Sequence, residues 1–101
     1  MSKILVKIHS SYREVIAVCD AELLGKKFEQ GDLQLDVNEN FYGGDELKED
    51  KLLTFLQEKA EENATFNFVG KETIEIAIKA GIISKDGILK ISNVPYAMGL
   101  V

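Results

Sequence analysis

The chain has 101 residues, of which 46% are apolar and 29% charged; this is enough for one hydrophobic core, too little for two, and typical of a folded domain. Its net charge of −5 argues against non-specific, counterion-driven binding to nucleic acid. A single cysteine, Cys19, excludes an intrachain disulfide and favours a reducing, cytoplasmic setting.

The acidity is local. Residues 1–27 carry net +2, residues 28–62 net −8 and residues 63–101 net +1, so a basic face remains available on the first and last segments. The opening apolar run, Ile4-Leu5-Val6, is too short for a signal-peptide core. No stretch approaches the roughly 20 apolar residues of a membrane span.

In chain order, Ile4, Val6 and Ile8 alternate with Leu5, Lys7 and His9, which predicts a strand. A turn over 9–12 and a β-branched run, 14–19, complete an opening hairpin. Asp20 is expected to cap a single helical turn over 21–24, which Gly25 closes. Leu33, Leu35 and Val37 share one side of a further strand. Residues 41–45 read as a turn, with Asp45 capping a helix over 46–62. Leu47, Leu52, Phe55, Leu56 and Ala60 form the apolar stripe of that helix.

Thr65–Val69 is predicted as a strand, followed after Gly70 by a helix carrying Ile74, Ala77 and Ile78 and stopped near Gly81. Asp86-Gly87 is a turn, 88–91 a strand, and Val94-Pro95 a break that starts an apolar tail over 94–101. This order predicts one α+β domain over 1–101, a mixed sheet of five to six strands with two main helices.

Each candidate site has a structural alternative. Gly43-Gly44 and Gly70-Lys71 precede helices, where backbone N–H groups and the helix dipole can hold an anion. Neither has the spacing of a phosphate loop, and turn or capping roles account for both glycine segments. Cys19 ends a strand before a helical turn, and His9 is the one histidine that could approach it, but two groups do not make a catalytic set. Two nitrogen or sulfur ligands fall short of a structural zinc site, so no metal and no cofactor is expected. Phe66 and Phe68 alternate along a strand and would stack RNA bases if exposed, whereas a core role is the plainer reading. Asn93, Pro95 and Tyr96 form the most unusual segment, in a tail expected to dock on the sheet or on a second subunit.

Four segments taken together resemble a known family. They are Cys19 to Lys26 (C-D-A-E-L-L-G-K), Phe41 to Gly44 (F-Y-G-G), Ala64 to Gly70 (A-T-F-N-F-V-G) and Asn93 to Ala97 (N-V-P-Y-A). The set is similar to the archaeal domain-of-unknown-function family number four hundred and twenty-four, in which such segments occur in this order over nearly the whole chain. The resemblance implies an archaeal, cytoplasmic, single-domain protein, found in the company of genes for translation and ribosome assembly. Tyr96 stands where members usually carry histidine, and Met98 replaces or displaces a glutamine. A tail histidine therefore cannot act as a base here, since tyrosine titrates near ~10.

Three functional readings follow. The first is a non-enzymatic binding module for RNA or a ribosome-associated partner, with Lys3, Lys7, Arg13, Lys26, Lys27 and Lys71 gathered on one face. The second is a small enzyme or ligand binder with a pocket near Gly43-Gly44, Gly70, Asn93 and Pro95-Tyr96. The third is a protein-interaction adaptor that uses the acidic helix 46–62. The chain offers no complete nucleophile, metal or phosphate constellation, so the first reading is preferred over an enzyme. Either a monomer or a homodimer suits it.

Overall fold

In the computed structural model, residues 3–100 are described, apart from the side chain of Leu100. Val101, at the end of the expected tail, lies outside the described residues. A six-stranded mixed sheet forms the middle layer. Its strands are β1 (Ile4–His9), β2 (Val15–Asp20), β5 (Asp45–Leu47), β6 (Thr65–Val69), β7 (Leu89–Ile91) and β8 (Val94–Leu100), in the spatial order β5-β1-β2-β6-β8-β7. All pairs are antiparallel except β2–β6, which run parallel. A parallel pair needs a crossover, and α2 (Glu49–Glu61) supplies it.

Alternation along each strand sorts the side chains onto two faces. On the first face, Ile4, Val6, Ile16, Val18, Phe66, Phe68 and Ala97 pack against Leu52 and Leu56 of α2 and Ile74 and Ala77 of α3 (Lys71–Lys79). On the second, Ala17, Cys19 and Val69 pack beneath a hairpin of β3 (Lys27–Gln30) and β4 (Leu33–Asp36) and the short helix α1 (Glu39–Tyr42). The fold is a single compact α+β domain built in three layers.

Several local expectations change. Residues 27–30 form a strand of their own, because the hairpin partner at 33–36 lies across the two-residue turn Gly31-Asp32. Phe41-Tyr42 ends a helical turn capped by the Asn38 side chain, which accepts from the N–H of Asn40 at 2.7 Å. Asp45 opens β5 instead of capping a helix, and α2 begins four residues later at Glu49. Val94-Pro95 is no break: Ser92 and Asn93, at φ +50° and +68°, turn the chain tightly from β7 into β8. Such a two-residue turn twists as antiparallel strands do. The tail then becomes an inner strand between β6 and β7.

Candidate functional site

Asp20 ends β2 and is 2% exposed. Its side chain does not cap the turn that follows it, Ala21–Leu23. It reaches the start of α3 instead, accepting from the N–H of Thr73 at 2.9 Å, the Thr73 hydroxyl at 2.7 Å and the N–H of Glu72 at 3.2 Å. These are donors that a helix leaves without an internal partner. Gly70, at φ +113°, makes the approach possible, since a Cβ there would overlap the Asp20 carboxylate. The anion-binding corner expected at Gly70-Lys71 is thus filled by the chain's own carboxylate. Lys71 stands exposed at the first residue of α3.

Gly43 and Gly44 lie at the far edge of the sheet, between α1 and β5. A Cβ at Gly44 would overlap the carbonyl oxygen of Val6, so the glycine lets the chain cross tightly against β1. Gly70 and Pro95 do come together, the N–H of Gly70 donating to the Pro95 carbonyl at 2.9 Å. Tyr96 is half-buried beside Val69 in the same layer, while Asn93 occupies the β7–β8 turn. β2 and β6 stand between β1, which Gly44 crosses, and β8, which carries Pro95.

Cys19 and His9 are separated along the hairpin, since Cys19 pairs with Leu5 and His9 with Val15. The Cys19 thiol is buried, and burial together with the adjacent Asp20 charge pushes its pKa up to about 12. This is the reverse of what a thiolate nucleophile requires. The imidazole of His9 stacks on Phe41 with centroids 4.6 Å apart, and its Nε2 lies 2.8 Å from the Phe41 carbonyl oxygen. Phe66 and Phe68 are buried and stacked on each other at 5.5 Å. They belong to the core.

The cations are spread over the molecule. Lys3 lies at the start of β1, 3.8 Å from Glu46. Arg13 sits in the turn at the opposite end of the β1–β2 hairpin. Lys26 and Lys27 lead the exposed start of β3, and Lys7 points to the second face with Leu5 and His9. A cleft of about 440 Å³ beside α3 is lined by Lys3, Glu46, Glu49, Glu72, Glu75 and Lys79. Its charges largely serve one another, Lys79 meeting Glu49 at 2.9 Å.

The hairpin and α1 cover only part of the second face. Beside Ala17 the strand register sets Lys7 of β1, Asn67 of β6 and Met98 of β8 in one row, and in the next row His9, under Phe41 of α1, Val15 of β2 and Thr65 of β6. Met98 is 72% exposed, and Tyr12, in the adjoining turn, is fully exposed. None of these residues is acidic. The alternation of Thr65-Phe66-Asn67-Phe68 carries the signal for this surface: once the phenylalanines are inside, threonine and asparagine must face the other way.

Among the described residues, no three His, Cys, Asp or Glu side chains gather as a metal site, and no helix is long and apolar enough to cross a membrane. Fold and site together define a small three-layer sheet domain whose helix-cap anion site is occupied from within and whose second sheet face is half open. The family described as "Protein of unknown function (DUF424)" matches residues 8–100, and the chain belongs to that family. The chain is also similar to the crystal structure of an uncharacterized conserved protein from Methanopyrus kandleri. The TM-score is 0.87 at 25% identity, over 98% of this chain and 91% of the other. No curated protein matches the chain.

Proposed function

We propose that the protein is a non-enzymatic binding module that acts on RNA in a translation-associated, cytoplasmic setting of an archaeal cell, through the open half of its second sheet face. One observation carries this reading: in a chain of net charge −5, the sheet register sets half-buried Lys7, Thr65 and Asn67 beside exposed Met98, with no acidic side chain among them. An open sheet with lysine, amide and hydroxyl groups offers hydrogen bonds to bases and phosphates. Met98 and the neighbouring Tyr12 offer surfaces for unstacked bases. Lys7 and Arg13 supply the charge, whereas Lys3, Lys26, Lys27 and Lys71 lie away from this surface.

Fluorescence anisotropy with single-stranded and structured RNA at two salt concentrations tests the proposal. Binding that weakens as salt rises, and weakens again in Lys7→Glu, supports it. Weak binding indifferent to salt removes it and leaves the acidic outer side of α2 as the candidate contact of a protein-interaction adaptor.

A further inference from the structure

The β1–β2 turn, residues 10–14, projects past the last pair of its hairpin, His9 with Val15. The Ser11 hydroxyl donates to the Arg13 carbonyl and ties this turn across Tyr12. Tyr12 is 108% exposed, so its ring rests on nothing in the chain. The other two tyrosines, Tyr42 and Tyr96, pack into the core of the second face. A ring held out on a tied turn gains nothing from folding, but it has little freedom left to lose when a flat partner arrives.

The turn stands at the end of the sheet where the second face is open. From it a diagonal runs over Val15 of β2 and Thr65 and Asn67 of β6 to Met98 of β8, as the register sets them. The three residues between are half-buried and Met98 is exposed, so the diagonal is a shallow floor with an exposed side chain at each end. Charge at the turn is one-sided. Arg13 is exposed beside Tyr12, whereas Glu14 is drawn toward α2 by Lys59 at 2.8 Å.

We infer, resting on the RNA reading above, that the RNA this face takes is unpaired, with one base stacked on Tyr12 and its neighbours laid along the diagonal to Asn67 and Met98. The chemistry of the diagonal selects the unpaired form. In a duplex the base faces are buried in the stack, and protein reaches A-form RNA at phosphates, ribose hydroxyls and groove edges. An unpaired strand turns its base faces out, and each can stack on an aromatic ring whatever its sequence. The Asn67 amide can donate to and accept from an exposed base edge. Met98 adds an apolar, polarisable surface, and Arg13 meets the phosphate beside the stacked base. From β2 to β8 is two strand spacings, ~10 Å, so a segment of a few nucleotides reaches from the turn to Met98.

Anisotropy with a short uridine-rich RNA, alone and annealed to its complement, tests this. The wild type should bind the unpaired strand at least about tenfold more tightly than the duplex. Tyr12→Ala should weaken binding of the unpaired strand about tenfold, the loss of one stacked base. It should leave duplex binding and the unfolding midpoint unchanged. Tyr12→Phe should keep the wild-type affinity, because the ring does the stacking. Equal affinity for the two RNAs, or a Tyr12→Ala variant that binds like the wild type, overturns the inference while the RNA reading stands. No salt-dependent binding of either RNA overturns that reading and the inference with it.

Discussion

The hydroxyl of Thr73 donates to the carboxylate of Asp20 at 2.7 Å, joining the end of β2 to the first turn of α3 across 53 residues of chain. The carboxylate is buried and also receives two backbone N–H groups. Replacement by alanine strands three donors in a dry corner and should cost about 2–4 kcal/mol. Asp20→Asn keeps one acceptor oxygen and should lose less. Urea denaturation of the two variants measures the difference.

Gly70→Ala should destabilise by more than about 2 kcal/mol, through its φ of +113° and through the collision with Asp20. In the double variant Asp20→Ala/Gly70→Ala the collision is gone and only the backbone strain remains. The two changes should therefore be less costly together than their sum, a non-additivity that a double-mutant cycle reads directly.

Alkali should unfold the protein through Cys19 and Tyr42. Cys19 is pushed up to about 12 by burial and then by Asp20, and Tyr42 up to about 12 by burial and then by Cys19. Both groups hold their protons in the folded state at pH values where the unfolded chain has released them. Stability is thus fully present below pH 9 and falls as pH rises toward 12, with a slope approaching ~1.4 kcal/mol per pH unit for each group. Denaturant midpoints measured from pH 8 to 11 check this. Cys19→Ser should flatten the lower part of the fall. At neutral pH the native thiol should resist a water-soluble disulfide reagent and react once urea is added.

The open sheet face and the core should separate cleanly under mutation. Lys7→Gln should weaken RNA binding and shallow its salt dependence while leaving the unfolding midpoint nearly unchanged. Phe68→Ala should cost about 3–5 kcal/mol, as expected for an aromatic side chain at 0% exposure, and should alter RNA binding only where it unfolds the protein. Anisotropy and thermal melts on the same preparations distinguish the two outcomes.

Strands and helices with strong periodicity were legible from sequence. Thr65–Phe68 alternates polar and apolar residues without interruption, and the stripe of Leu52, Phe55 and Leu56 identifies α2. β5 was not legible, because Asp45-Glu46-Leu47 has no β-branched residue and owes its strand to pairing with β1. The β7–β8 connection was missed for a related reason: Ser92-Asn93 lacks the glycine that usually announces such a turn, and Asn93 tolerates its positive φ through a short polar side chain. The partner of Asp20 is hidden by 53 residues of separation. A capping aspartate normally serves the helix beside it in sequence, and here it serves one that only the parallel β2–β6 pairing brings close.

That parallel pairing has a kinetic side. In the six-stranded sheet, β5, β1 and β2 lie on one side of the β2–β6 line and β6, β8 and β7 on the other, with α2 as the tether and the β3–β4 hairpin reaching across to Ser92. Each half can zip up its own hairpin quickly, whereas uniting them means closing a long loop first, which is the slow event in such topologies. Tension applied between residues 3 and 100 would therefore part the molecule along this line, breaking the Asp20–Thr73 rivet and the bonds from Ser92 to Glu29 and Gln30.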